Sequence, residues 1–270
     1  MTPSPSISPS DDPWALLRST TQARIGLGHS GHAMPTAHVL AFRADHAAAR
    51  DAVHAELDLD ALAASLRAGS GPGRHSNEPI VEVASRATSR GEYLRRPDLG
   101  RRLRADDVDR LRTIRAGAPS ERDPDLSIVL CDGLSSTAVA THAAPFLRAV
   151  ERALGPGVEL GPLVVATQAR VALGDEVGGA LGSRAVLVLI GERPGLSVPD
   201  SLGAYLTFNP EVGRLDSERN CVSNIRPPHG LSYDAAARTI AALFGAARAL
   251  GRTGVDLKDP TELDPGKALA

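Results

Sequence analysis

Cysteine is scarce: Cys131 and Cys221 are the only two in 270 residues. That is too few for a disulfide framework, and in a reducing compartment both should be free thiols. Lysine is equally rare, with Lys258 and Lys267 alone beside a full complement of arginine, a bias that reads as codon usage and carries no function. Neither charge sign is in excess. Thirty Lys+Arg against 32 Asp+Glu leave a formal net charge of -2, so no summed positive field exists to gather phosphates or an anionic membrane surface, and a general nucleic-acid binder is disfavoured. Long apolar runs are missing as well. The longest, Ala185 to Ile190, falls far short of the roughly 20 residues that span a bilayer. Met1 to Asp12 is Ser/Pro-rich and lacks the basic and apolar regions of a secretory signal, so a cytosolic chain is expected. There is no G-x-x-x-x-G-K-[ST] loop and no G-x-S-x-G elbow, which removes the usual anchors of phosphoryl transfer and serine hydrolysis.

The remainder has the means to fold. At 28.1 kDa, with 42% hydrophobic and 23% charged residues, the chain suits one large domain or a main domain with a small companion. Residues 1–12 read as disordered and residues 13–75 as a helical N-terminal domain. In the latter, Val39, Phe42, His46, Ala49 and Val53 recur at three and four residues on one stripe, and Trp14, Leu17 and Ile25 form an earlier one. Gly69 to Pro79 reads as a linker. From residue 76 to 256, short β-branched runs alternate with helical stretches. Ile80–Val83, Ser127–Leu130, Leu163–Ala166 and Ala185–Ile190 are strand candidates, the last apolar throughout as a strand buried on both faces would be. Helical patterns lie at Asp106–Arg115, Thr137–Leu154, Glu176–Leu181 and Asp234–Leu250, with Ser232 as the N-cap of the last. The alternation predicts an α/β fold with a Rossmann-like, mainly parallel sheet flanked by helices. Residues 257–270 read as a C-terminal tail.

Gly26-Leu27-Gly28-His29-Ser30-Gly31 matches G-x-G-x-x-G, and Asp45 and Asp51 lie where a ribose-binding acid would be sought. The chemistry needs a strand feeding the glycines and a helix opening from them. Here Pro13 to Ile25 reads as a helix and Met34-Pro35 intervenes before the next one, so the glycines are read as a turn. His29, His32, His38, His46 and His54 invite a zinc reading. Their spacing does not put all ligands on one helical face, and no cysteine or paired acid joins them, so no metal site is assigned.

In an open parallel sheet, ligands gather at the carboxyl ends of the strands, and three loops stand out there. Cys131-Asp132-Gly133-Leu134-Ser135-Ser136 leaves a strand and starts a helix. It is either an ordinary turn capped by Ser135 or Ser136, or an acceptor site. Gly191-Glu192-Arg193-Pro194-Gly195 sets a Glu and an Arg at the mouth of the most apolar strand, either paired with each other or holding a polar ligand. Asn220-Cys221-Val222-Ser223-Asn224-Ile225-Arg226-Pro227 is a polar cluster in which Cys221 is either a ligand contact or a small buried residue. Composition leaves these alternatives open.

Taken in order, several blocks resemble the small (light) subunits of ethanolamine ammonia-lyase: Ala23-Arg24 through Gly31, Ala44-Asp45-His46, Tyr93 through Leu103, Asp132-Gly133-Leu134-Ser135, Gly191 through Leu196, and Cys221-Val222-Ser223-Asn224-Ile225. The resemblance implies an adenosylcobalamin-dependent carbon–nitrogen lyase that converts ethanolamine to acetaldehyde and ammonia by a radical route. It implies a large TIM-barrel subunit that holds the substrate and the catalytic groups, in a hetero-oligomer built on a hexameric core, with no nucleic-acid or membrane partner. Residues 76–256 would then be the cobalamin-contacting domain. By the same resemblance Val171, Glu192 and Cys221 are the cofactor contacts, while this chain supplies no catalytic residue and no metal ligand. No Asp-x-His-x-x-Gly motif occurs, so the cofactor is expected to keep its own dimethylbenzimidazole on cobalt. The short N-terminus offers no clear targeting segment for a bacterial microcompartment, the other location the resemblance raises.

Overall fold

A computed structural model describes residues 14–68, 75, 79–118 and 122–258. Three helices, α1 (Ala15–Thr20), α2 (Thr36–His54) and α3 (Leu59–Arg67), precede β1 (Val81–Ala84), α4 (Arg90–Arg95) and α5 (Ala105–Ala116). Then come β2 (Ser127–Cys131), α6 (Ser136–Leu154), β3 (Val164–Thr167), α7 (Leu173–Ala180), β4 (Ala185–Gly191), β5 (Leu202–Phe208), β6 (Asn220–Ile225) and α8 (Tyr233–Leu250). No helix among the described residues is long and apolar enough to cross a membrane.

The six strands form one sheet in the order β1-β3-β2-β4-β5-β6. The first four run parallel, as the alternation of strands and helices predicts. β5 lies antiparallel between β4 and β6, so the sheet is mixed. Neither β5 nor β6 was expected as a strand. Gly203 interrupts β5, and β6 turns only Val222 and Ile225 inward while Cys221, Ser223 and Asn224 stay exposed. β6, half covered, reads as a polar loop because its apolar positions are too few to set a period, whereas β5 is buried at all positions but Tyr205.

Alternation along the strands sorts the core into two layers. Ile128 and Leu130 of β2 and Ala185, Leu187 and Leu189 of β4 pack with α6, α8 and α3. Val129 and Cys131 of β2 and Val186, Val188 and Ile190 of β4 pack with α5 and α7. β4 is buried at all seven positions, as its unbroken apolar run predicts. Ser135 and Ser232 cap α6 and α8 by accepting the Ala138 and Ala235 amides at 3.2 Å each.

The N-terminal helices are less buried than their stripes suggest. α1 buries nothing, and α2 buries only Ala49. Phe42 stays 43% exposed and Leu40 59%, with the Arg24 guanidinium over the Phe42 ring. α3 differs, sending Leu62 and Leu66 into the core shared with α6. Among the described residues no strand precedes the glycine turn, and α2 begins only at Thr36 behind Pro35. Asp45 is held by Arg24 in an ion pair. Both observations agree with refusing a dinucleotide site. Among the described residues no group of His, Cys, Asp and Glu is arranged to hold a metal ion. The expected boundary at 75/76 falls where only His75 is described, and residues 1–12 lie outside the described part. Leu257 packs in the core and accepts the Asn220 side chain on its carbonyl at 3.0 Å. The tail beyond residue 258 lies outside the described residues.

Candidate functional site

β2 has β3 on one side and β4 on the other, and the chain leaves it first toward β3 and then crosses to β4. In open sheets such a reversal, at the carboxyl ends of the strands, is where ligands are sought. The loops after β2, β3 and β4 meet there, and buried polar groups hold them in place.

Asp132, 1% exposed, ends β2. Its carboxylate accepts the Ala169 amide at 2.9 Å, the Gln168 amide at 2.8 Å and an Arg90 Nη1–H at 3.3 Å. Burial pushes its pKa above the usual carboxylate range, opposed by the Ala169 amide and the Arg90 charge. Arg90 also donates to the Gly133 carbonyl at 2.8 Å and to the Val53 carbonyl at the end of α2 at 2.8 Å. Tyr93, wholly buried, donates its hydroxyl to the Ala169 carbonyl at 3.1 Å. Arg90 and Arg170 lie over its ring, their guanidinium carbons 4.9 and 4.7 Å from the centroid. The Arg170 amide donates to the Gly100 carbonyl at 2.8 Å. The block from Tyr93 to Leu103 therefore shapes the loop that carries Val171. That role leaves no signal in the sequence beyond the block itself.

The acceptor reading of the loop after β2 is not what the geometry supports. The Ser135 side chain caps α6 and donates to the Pro199 carbonyl at 2.8 Å, while Ser136 donates to the Ala55 carbonyl at 2.9 Å. This helix start is covered by protein. Cys131 is buried, and desolvation holds its thiol pKa well above the ordinary value, so it acts as a small core residue.

Glu192 follows β4 and is half-buried. Its amide donates to the Ser201 carbonyl at 3.0 Å. Its carboxylate accepts the Ser201 hydroxyl at 2.6 Å and the Asn224 amide at 3.2 Å on Oε2, and the Ser223 hydroxyl on Oε1. Arg193 is exposed and makes no ion pair with Glu192 among the described residues. The self-paired Glu–Arg alternative is thus replaced by a carboxylate held by hydroxyls. The side chain lies across Gly203, where any Cβ would come within 3.0 Å of Glu192 Oε1.

Cys221 sits on β6 opposite Tyr205 of β5. It is exposed, which sets aside the buried alternative. Desolvation raises its thiol pKa and the Glu192 charge adds to this, against a hydrogen bond with Tyr205. The thiol is therefore neutral, a weak donor and an apolar contact rather than a thiolate. Tyr205 is likewise held above its ordinary value, chiefly by burial. The structure thus brings Glu192 and Cys221 onto one surface with Tyr205 between them. Val171, half-buried at the turn into α7, lies in the loop after β3 and packs against the layer of α5 and α7; no hydrogen bond among the described residues links it to Glu192 or Cys221. Ser223 lies in the third candidate loop and Ser201 in none of them, and only the β4–β5–β6 pairing carries both to Glu192.

The family model described as the ethanolamine ammonia-lyase light chain matches residues 11–258. The chain is 51% identical over 253 residues to the ethanolamine ammonia-lyase small subunit of Rhodococcus erythropolis, covering 94% of this chain and 92% of that one. It is 51% identical over 245 residues to the small subunit of Bradyrhizobium diazoefficiens, covering 90% and 89%. To that of Azotobacter vinelandii it is 47% identical over 254 residues, covering 94% and 90%.

Proposed function

The chain belongs to the ethanolamine ammonia-lyase small-subunit family, and from that premise we propose that it forms one wall of an adenosylcobalamin site whose other wall is the large subunit. The observation that carries this reading is the Glu192 carboxylate, fixed in place yet not fully used. A carboxylate offers about four acceptor positions. Ser201, Ser223 and Asn224 occupy three of them, leaving one on Oε1 for an incoming N–H. The corrin periphery bears primary amides, which supply that donor. The neutral Cys221 thiol and the Val171 side chain offer the apolar contact that a macrocycle edge needs. Carboxylate, hydroxyl, thiol and valine together fit an amide-fringed, largely apolar ligand. In this reading the sheet is Rossmann-like and its reversal around β2 supplies the crevice.

When bound, adenosylcobalamin supplies radical chemistry through homolysis of its cobalt–carbon bond. The residues of this chain bind and orient. Glu192 accepts an amide N–H, Val171 and Cys221 keep water from the macrocycle edge, and Asp132 with Tyr93 holds the loop that presents Val171. Substrate and proton transfers belong to the large subunit, and the pair acts as a lyase on ethanolamine in an assembly built on a hexameric core of large subunits. Large apolar side chains left open on the N-terminal helices, such as Leu16 at 76% exposure, are surface of the kind that another subunit covers.

The test is reconstitution of the Glu192→Ala variant with the large subunit. Cofactor affinity should fall roughly 10- to 100-fold, the equivalent of about 1.5–3 kcal/mol for a hydrogen bond to a charged group. Turnover at saturating cofactor should stay near wild type. Unchanged affinity with abolished turnover would contradict the proposal.

A further inference from the structure

We infer that Ser201 and Ser223 are positioning residues that set the Glu192 carboxylate in the orientation in which it receives the cofactor, an inference that rests on the reading above. Residues from three adjacent strands or their ends converge on this one side chain. β4 delivers Glu192, Ser201 immediately precedes β5, and β6 delivers Ser223. Ser201 is 7% exposed and grips Glu192 twice, its carbonyl taking the Glu192 amide and its hydroxyl donating to Oε2. Ser223 stands on the open side of the sheet and donates to Oε1. Each hydroxyl has one proton to give. With both given to Glu192, each serine oxygen keeps only acceptor capacity toward a ligand.

The arrangement is specific in two respects. No lysine, arginine or histidine forms an ion pair with Glu192 among the described residues, so the carboxylate is oriented by hydroxyls and one backbone amide without being neutralised. A cation in their place would compete with the ligand N–H. Gly203 also keeps the floor beneath Glu192 clear, since a side chain there would displace the carboxylate. Without the hydroxyls, Glu192 would sample several rotamers, and binding would then carry the cost of ordering it. The surface made by Glu192 Oε1 and Ser223 Oγ is acceptor-only, matched to a primary amide and mismatched to a carboxylate.

The experiment uses the complex reconstituted with the large subunit and titrated with adenosylcobalamin, binding being read from the visible absorption of the corrin. Ser201→Ala with Ser223→Ala should weaken cofactor binding about tenfold, with the melting temperature of the cofactor-free complex held within a few degrees of wild type. In a Glu192→Ala background the same two substitutions should have no further effect, whereas a purely structural role would add to it. Ser201→Ala with Ser223→Thr, which keeps the β6 hydroxyl, should recover part of the loss. If Glu192→Ala weakens binding and the double serine variant does not, the positioning role is overturned while the cofactor contact stands. Equal effects of the serine pair with and without Glu192 would overturn it too. If Glu192→Ala itself leaves affinity unchanged, the cofactor contact fails first.

Discussion

Two carboxylates at the mouth of the sheet differ in exposure, and the proposed reading gives them different work. Asp132 takes two backbone amides and one guanidinium in a place from which water is excluded. Removing it strands two amides and leaves the buried Arg90 charge without this carboxylate, and the cost of breaking such a buried arrangement is about 3–5 kcal/mol, a large share of the roughly 5–15 kcal/mol that holds a domain together. Asp132→Ala should therefore lower the urea midpoint strongly. Asp98→Ala, which breaks an ion pair to Arg96 whose side chains are 60% and 59% exposed, should leave the midpoint unchanged. Equal midpoints for the two variants would refute the structural role of Asp132. Glu192 has as many protein donors as Asp132 but is half-buried and faces outward, so its loss should show in ligand affinity and little in folding.

At the scale of elements, the β2 and β4 ends approach until only glycine fits. Gly133 adopts φ +60°, and a Cβ there would lie 2.2 Å from the Gly191 carbonyl oxygen, which itself accepts the Leu134 amide at 2.9 Å. Gly133→Ala should cost about 1–2 kcal/mol for the left-handed conformation alone, and more for the backbone clash. A melting temperature matching wild type would disprove this account of the contact. Helices α6 and α8 meet through His142, 4% exposed, whose Nδ1 lies 2.8 Å from the Tyr233 hydroxyl. Burial depresses the His142 pKa, partly offset by Asp200. The unfolded chain then binds more protons than the folded one as pH falls below about 6.5, so stability is present above that value and declines beneath it. His142→Gln should lose less melting temperature than wild type between pH 7 and pH 5.5. An identical loss would show that His142 does not contribute.

These elements also show what the residue pattern carries. The four parallel strands and α6 and α8 are legible to within a residue or so, since β-branched runs, a fully apolar β4 and serine caps each have a local cause. α7 begins at Leu173, before the expected Glu176, because its first turn is glycine-containing and offers no side-chain cap. β5 and β6 escape the pattern, and with them goes the reason that Cys221 stands near Glu192. Antiparallel pairing across a half-exposed edge is a property of the assembled sheet. Glu192 and Cys221 are visible as polar residues in candidate loops, yet their proximity, and the service of Ser201 and Ser223, depend on that pairing.

The whole molecule, with its near-neutral charge and its two packed layers, is a scaffold that brings strand mouths and one open strip of sheet to a common surface. Among the described residues its N-terminal helices leave apolar side chains exposed and its Glu192 carboxylate has three protein donors; in the proposed reading, further molecules complete both. The most direct test is the structure of the complex with the large subunit, loaded with cobalamin. A corrin amide should lie within hydrogen-bond distance of Glu192, about 3 Å, with Val171 and Cys221 against the macrocycle edge. A corrin enclosed by the large subunit alone, touching none of the three, would contradict it.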